Sequence, residues 1–220
     1  MHSTGKILIT FGFFLIILTG FISCSRSEPT IAFGFIKLVY YQDKDKFNER
    51  YTFFIIPEDE EGIENLEDLY LYHDGDQLRW QIKSSDWIKF SKDGKDWIGS
   101  RSLAIQDGEM LPRGQFRAVL VTKGGEKSEK KFSFDAPEEP RFPFPTLTVK
   151  DGNYSVKSVY PANHLIFYDS KGEYLFHATL SALTGKISEL GPSTNARTVA
   201  LWAEDTNYFT SVITDAVSTR

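Results

Sequence analysis

The chain has 220 residues, a formal net charge of −5, aromatic residues at 15 % and one cysteine. The mild acidity argues against nucleic acid or anionic headgroups as electrostatic partners. A lone cysteine excludes an intramolecular disulfide.

Met1 to Lys6 carries one base and no acid, and an apolar run follows from Ile7 to Ile22, broken by Thr10, Gly12, Thr19 and Gly20. A charged start, an apolar stretch and a small-residue end define a signal peptide. The run falls short of the roughly 20 residues that a spanning helix needs. It closes on Phe21-Ile22-Ser23-Cys24, which resembles the lipobox of bacterial lipoproteins. Phe21 stands where leucine is usual, a departure that relaxed, spirochaete-like lipoboxes accept. The resemblance implies signal cleavage between Ser23 and Cys24, lipidation of Cys24, and a membrane anchor without a transmembrane helix. Acylation would also spare an exported chain a free thiol. With each buried methylene contributing about 0.8 kcal/mol, two or more acyl chains hold a protein stably on a bilayer. Removal of residues 1–23 deletes Lys6 and no acid, so the charge moves from −5 to −6. The rest of the chain has room for one large or two small domains.

After a lipidated tether over 24–30, strand-length apolar runs recur at short intervals. They are Ile31 to Tyr41, Tyr51 to Ile56, Leu69 to Tyr72, Leu78 to Ile82, Trp87 to Phe90, Phe116 to Val121 and Lys131 to Phe134. Turn signals such as His73-Asp74-Gly75-Asp76 and Lys123-Gly124-Gly125-Glu126 separate them, and this spacing marks a sandwich or barrel. Gln115 to Thr122 has apolar residues on both faces, as a central strand does. Asp135 to Pro145 carries four prolines in eleven residues, which makes 137–145 an extended linker. Phe142 and Phe144 are expected to dock it. Six further runs, from Thr146 to Ile213, form a second set of strands. The reading is all-β, a sandwich over 31–136 followed by a second smaller β-domain over 146–220.

Leu111-Pro112-Arg113-Gly114-Gln115-Phe116 resembles the E–F corner of immunoglobulin-like and fibronectin type III sandwiches. Phe116 stands where those folds often place a tyrosine, and it lacks the hydroxyl of the tyrosine corner. Trp80 resembles their buried strand-C tryptophan.

Ser91 to Trp97 resembles an Asp-box hairpin, one residue short and without repeats. As a hairpin it allows a two-residue Asp93-Gly94 type I′ turn, with Phe90 opposite Trp97, or a type I turn with a bulge at Gly94. His164 and His177 flank Asp169-Ser170-Lys171-Gly172. A two-residue Ser170-Lys171 loop would set His164 directly opposite His177 as a two-ligand pair, whereas Asp and Gly favour a type I turn with a G1 bulge that pairs Asp169 with Glu173. His164 then faces Ala178, Leu165 faces His177, and the two imidazoles lie on opposite faces. Two ligands would in any case fall short of zinc's need. The acidic clusters Asp43 to Lys46 and Glu58 to Glu61 lack the EF-hand pattern, so no metal is assigned. His73 beside Asp74 and Asp76 has no nucleophile elbow, HExxH or Walker sequence with it, so no catalytic residue and no cofactor are assigned.

Trp87, Trp97, Tyr208 and Phe209 are candidates for a binding surface, because adjacent residues of a strand point to opposite faces and exposed rings mark contacts. The chain therefore reads as a non-catalytic lipoprotein of the cell envelope, periplasmic or surface-exposed. It would be held by its N-terminal lipid and bind another envelope protein. The second reading is a carbohydrate-binding or adhesive module, with a glycan on the Trp87 to Trp97 region, and an envelope hydrolase is the third.

Overall fold

Aromatic and β-branched runs become strands throughout the computed structural model, which describes residues 27–44, 46–105, 109–191 and 195–219. The expected signal peptide, with Ser23 and Cys24, lies outside the described residues, as does Asp45 of the first acidic cluster. In chain order the strands are β1 (Thr30–Asp43), β2 (Lys46–Glu58), β3 (Leu66–His73), β4 (Leu78–Lys83), β5 (Ile88–Lys92), β6 (Lys95–Leu103), β7 (Gly114–Thr122) and β8 (Lys127–Phe134). They continue as β9 (Thr146–Lys150), β10 (Asn153–Lys157), β11 (Ala162–Tyr168), β12 (Tyr174–Thr179), β13 (Thr184–Lys186), β14 (Thr198–Asp205), β15 (Thr210–Ile213) and β16 (Val217–Ser218).

The first eight strands divide into the neighbours β1-β2-β6-β5 and the sheet β4-β3-β7-β8. Lettered A to G along the chain, these are the A-B-E-D and C′-C-F-G groupings of an immunoglobulin-like sandwich. Ile36, Leu38 and Tyr40 of β1 and Tyr51, Phe53 and Ile55 of β2 meet Leu69, Leu71, Phe116, Ala118 and Leu120 of the opposing sheet in one core. Gly34 admits the Phe132 ring, which a Cβ there would strike at 2.7 Å. As expected, β7 is central, between β3 and β8.

Trp80 departs from expectation. It lies on β4, the edge beside strand C, where it is half-buried and its indole donates to the Ala104 carbonyl at 2.8 Å. The corner hydroxyl that Phe116 lacks comes from another strand, since Tyr51 of β2 donates to the Pro112 carbonyl.

The second set of strands builds its own core between the sheet β13-β10-β9 and the inner faces of β11 and β14, around Tyr154, Val156, Leu165, Phe167, Val199 and Leu201. The two sets are joined through hydrogen bonds, because β15 pairs in parallel with β1, Leu38 to Tyr41 against Thr210 to Ile213. One sheet therefore runs β12-β11-β14-β15-β1-β2-β6-β5, with β16 beside β14. The proline-rich segment is clamped between them. Phe142 packs edge-on against Tyr160, Phe144 stacks on Phe47, and the Pro137 carbonyl accepts from Tyr40 and Arg113. Among the described residues no helix is long and apolar enough to cross a membrane.

Candidate functional site: a cleft in the curled sheet

Alternation along β1 sends Ile36, Leu38 and Tyr40 into the core and Phe35, Lys37, Val39 and Tyr41 to the other side. The same rule on β14 and β11 turns Trp202, Ile166 and Tyr168 outward. These outward side chains line one cleft of about 370 Å³, together with Thr52, Phe54, Phe90, Arg101, Tyr174, His177, Ser211 and Ile213.

The cleft exists because the sheet curls. Six strand spacings separate β12 from β6, roughly 29 Å in a flat sheet at about 4.8 Å each. Yet the Arg101 guanidinium of β6 lies 5.9 Å from the Tyr174 ring of β12, so the two rims bend towards each other. The sheet stays open, with β12 and β5 at its edges, and its concave face forms the cleft.

Each rim carries a bulge. On β6, Tyr51 pairs with Leu103 and Phe53 with Ser100, which leaves an extra residue opposite Thr52 and aims Arg101 into the cleft. On β12, Phe167 pairs with Phe176 and Tyr168 with Tyr174, so Leu175 is the extra residue. The turn itself is as expected, with Asp169 N–H donating to the Glu173 carbonyl and Gly172 at φ 80°.

The bulge overturns the expected histidine register. His164 pairs with Thr179 rather than Ala178, and His177 pairs with Ile166 rather than Leu165. Both imidazoles consequently share a face, 6.2 Å apart between centroids, and each also meets the Trp202 ring. Among the described residues no group of three metal-ligating side chains gathers.

Beside the cleft, Lys37 forms an ion pair with Glu204, whose other oxygen faces His164 Nε2 at 3.4 Å. Burial pushes the Glu204 carboxyl up, but His164 and Lys37 outweigh it and bring it down to about 2. His164 Nδ1 meets the Thr179 hydroxyl, and the Tyr174 hydroxyl meets His177 Nδ1, each at 3.0 Å. Burial also raises the Tyr41 and Tyr168 phenols. Among the described residues the buried Ser211 hydroxyl has no hydrogen-bond partner.

The candidates singled out from sequence scatter. Trp87 is 8 % exposed, packed in the first core with its indole on the Ile82 carbonyl, and is not a surface ring. Trp97 lies beside the cleft, parallel to Phe90 within 2° and edge-on to Phe33. That parallel pair comes from the two-residue hairpin, with Phe90 opposite Trp97 and Asp93 and Gly94 both at positive φ. Tyr208 and Phe209 stand 43 % and 58 % exposed on the β14–β15 turn, apart from the cleft lining, with Arg141 over the Tyr208 ring. His73 is tied down, 3.0 Å from the Arg113 carbonyl and 3.1 Å from Asp76, while Asp74 is taken by Arg117.

Lys37, Arg101, Tyr168, Tyr174 and Glu204 were not singled out from sequence. Tyr168 and Tyr174 are paired across one hairpin, but Lys37, Arg101 and Glu204 come from three further strands far apart in the chain, so no spacing joins the set.

No protein-family model matches the chain, and no curated protein matches it. Among solved structures it is similar to latent PorU of Porphyromonas gingivalis, at 12 % identity and TM-score 0.36 over 89 % of this chain. It is also similar to the 47-kilodalton lipoprotein of Treponema pallidum, at 15 % identity and TM-score 0.32 over 87 %. The immunoglobulin-domain complex of Dpr11 with DIP-gamma follows at 14 % identity and TM-score 0.26 over 87 % of this chain and 98 % of that one. The chain spans a fifth (20 %) of PorU and about half (51 %) of the Treponema lipoprotein. At these identities and TM-scores none of their activities transfers to this chain.

Proposed function

We propose that the protein is a lipid-anchored component of the bacterial cell envelope that binds a partner or ligand through the cleft of its curled sheet, without catalysis. The observation that carries this is the cleft. Binding pockets span roughly 300–1,000 Å³, are lined by apolar and aromatic groups with a few fixed polar ones, and favour barrel mouths. This cleft has that size and that lining. Anchoring is supported by Cys24 directly after Phe21-Ile22-Ser23.

The test is a photoreactive phenylalanine analogue at Tyr174 on the cleft rim, or at Tyr70 on the opposite sheet, followed by ultraviolet irradiation in cells. Adducts in the membrane fraction are expected from position 174 and not from 70, and Cys24→Ser should abolish the membrane location. No adduct from position 174, or equal labelling from both, would overturn the reading.

A glycan is the second reading. The parallel Phe90 and Trp97 rings, 6.0 Å apart, favour it, since flat rings stack on sugar faces. Capture on envelope polysaccharide that Trp97→Ala removes would support it.

A further inference from the structure

Arg101 and the lining of the cleft carry one step more, which rests on reading that cleft as the binding site. Among the described residues no acidic side chain lines it; its charged residues are Lys37 and Arg101, with His177 as a further titratable group. Lys37 is already neutralised by Glu204. Arg101 is exposed at the rim and, among the described residues, touches no carboxylate; it rests on the face of Tyr174 at 5.9 Å. A guanidinium held over a ring keeps its N–H fork free for a planar anion. Behind it the walls are mostly rings, Phe35, Tyr41, Phe54, Phe90, Tyr168 and Trp202, and rings prefer other rings in edge-on or offset contact. The buried Ser211 hydroxyl is a polar group at the lining that, among the described residues, has no hydrogen-bond partner.

We propose that the cleft takes a small amphiphilic anion, a ring-bearing apolar body with one carboxylate that pairs with Arg101 at the rim. The apolar body leaves water against the aromatic walls, and the carboxylate stays at the mouth, where its desolvation is least costly. Charge-assisted, bidentate pairing then selects the anion over a neutral or cationic ligand of the same shape.

The experiment uses the full chain in nanodiscs of zwitterionic lipid, titrated calorimetrically with 2-naphthoate, 2-naphthamide and 2-naphthylmethylammonium. These probes share one apolar body and differ in the head. Naphthoate should bind at least ten-fold tighter than the ammonium probe. Arg101→Gln should weaken naphthoate about ten-fold and leave naphthamide unchanged, and Arg101→Lys should restore part of the loss. Naphthoate and naphthamide binding equally, with neither changed by Arg101→Gln, would overturn the anion assignment and leave the cleft as a binding site. Absence of all binding would overturn it too. The cleft reading itself stands or falls separately, on the Tyr174 photo-adduct.

Discussion

Glu204 shows how much one side chain depends on its neighbours. It sits on β14 with Lys37 of β1 on one oxygen and His164 of β11 near the other, and its carboxyl is held at about 2 against an ordinary 4.5. A depressed carboxyl stabilises the fold above its unfolded value, and that contribution disappears as pH falls from about 4.5 towards 2. At neutral pH it amounts to about 3 kcal/mol. Glu204→Gln should therefore lower stability at pH 7 and leave a flatter acid limb between pH 4.5 and 2, measured by denaturant unfolding across that range. An acid limb identical to that of the parent would show that the pairing contributes nothing. A second buried pair works differently. Glu49 on β2, 5 % exposed, accepts two Arg113 N–H groups at 2.7 and 2.8 Å, while Arg113 also reaches the Ala136 and Pro137 carbonyls. It thereby ties the E–F corner to the proline-rich segment.

At the scale of elements, registers and bulges decide what each strand presents. Gly99 of β6 lies opposite Phe54 of β2, and a Cβ there would collide with the Phe53 carbonyl oxygen. Gly99→Ala should cost about 3 kcal/mol or more, as forced overpacking does, and should disturb the Arg101 bulge that follows it. The check is a melting curve with ligand titration: unchanged stability and unchanged naphthoate binding would refute it. Most strands were legible because period-two runs and turn residues mark them directly; β6, β13 and β16, which carry no such apolar run, were not. Even the Asp93-Gly94 turn was within reach as one of two registers. The His164 and His177 placement was not. The turn after Tyr168 follows from Asp169 and Gly172, but Leu175 is a bulge residue with no glycine to announce it, and one extra residue exchanges the faces of a strand.

For the whole molecule, the parallel β1–β15 pairing makes two cores share one sheet. Unfolding should be a single transition, because loss of the second core strips hydrogen bonds from β1. Phe167 is fully buried in that second core, and Phe167→Ala should cost about 3–5 kcal/mol. In a Trp202→Phe background, tryptophan fluorescence comes from Trp80, Trp87 and Trp97 in the region of the first eight strands, and its midpoint should shift together with far-ultraviolet circular dichroism. Two separated transitions, with only the second displaced, would show that the halves unfold independently.

The sequence alone determined the all-β class, the alternation that assigns most core residues, and the central place of β7. Each of these depends on neighbours within a few residues, where side-chain period and turn chemistry act. Tertiary structure decided that β15 would join β1, that Tyr51 would supply the corner hydroxyl, that Trp87 would be buried, and that the sheet would curl to bring Arg101 towards Tyr174. These depend on strands pairing across as many as 172 positions, Leu38 with Thr210, and on bulges whose effect is geometric, so nothing in local composition records them.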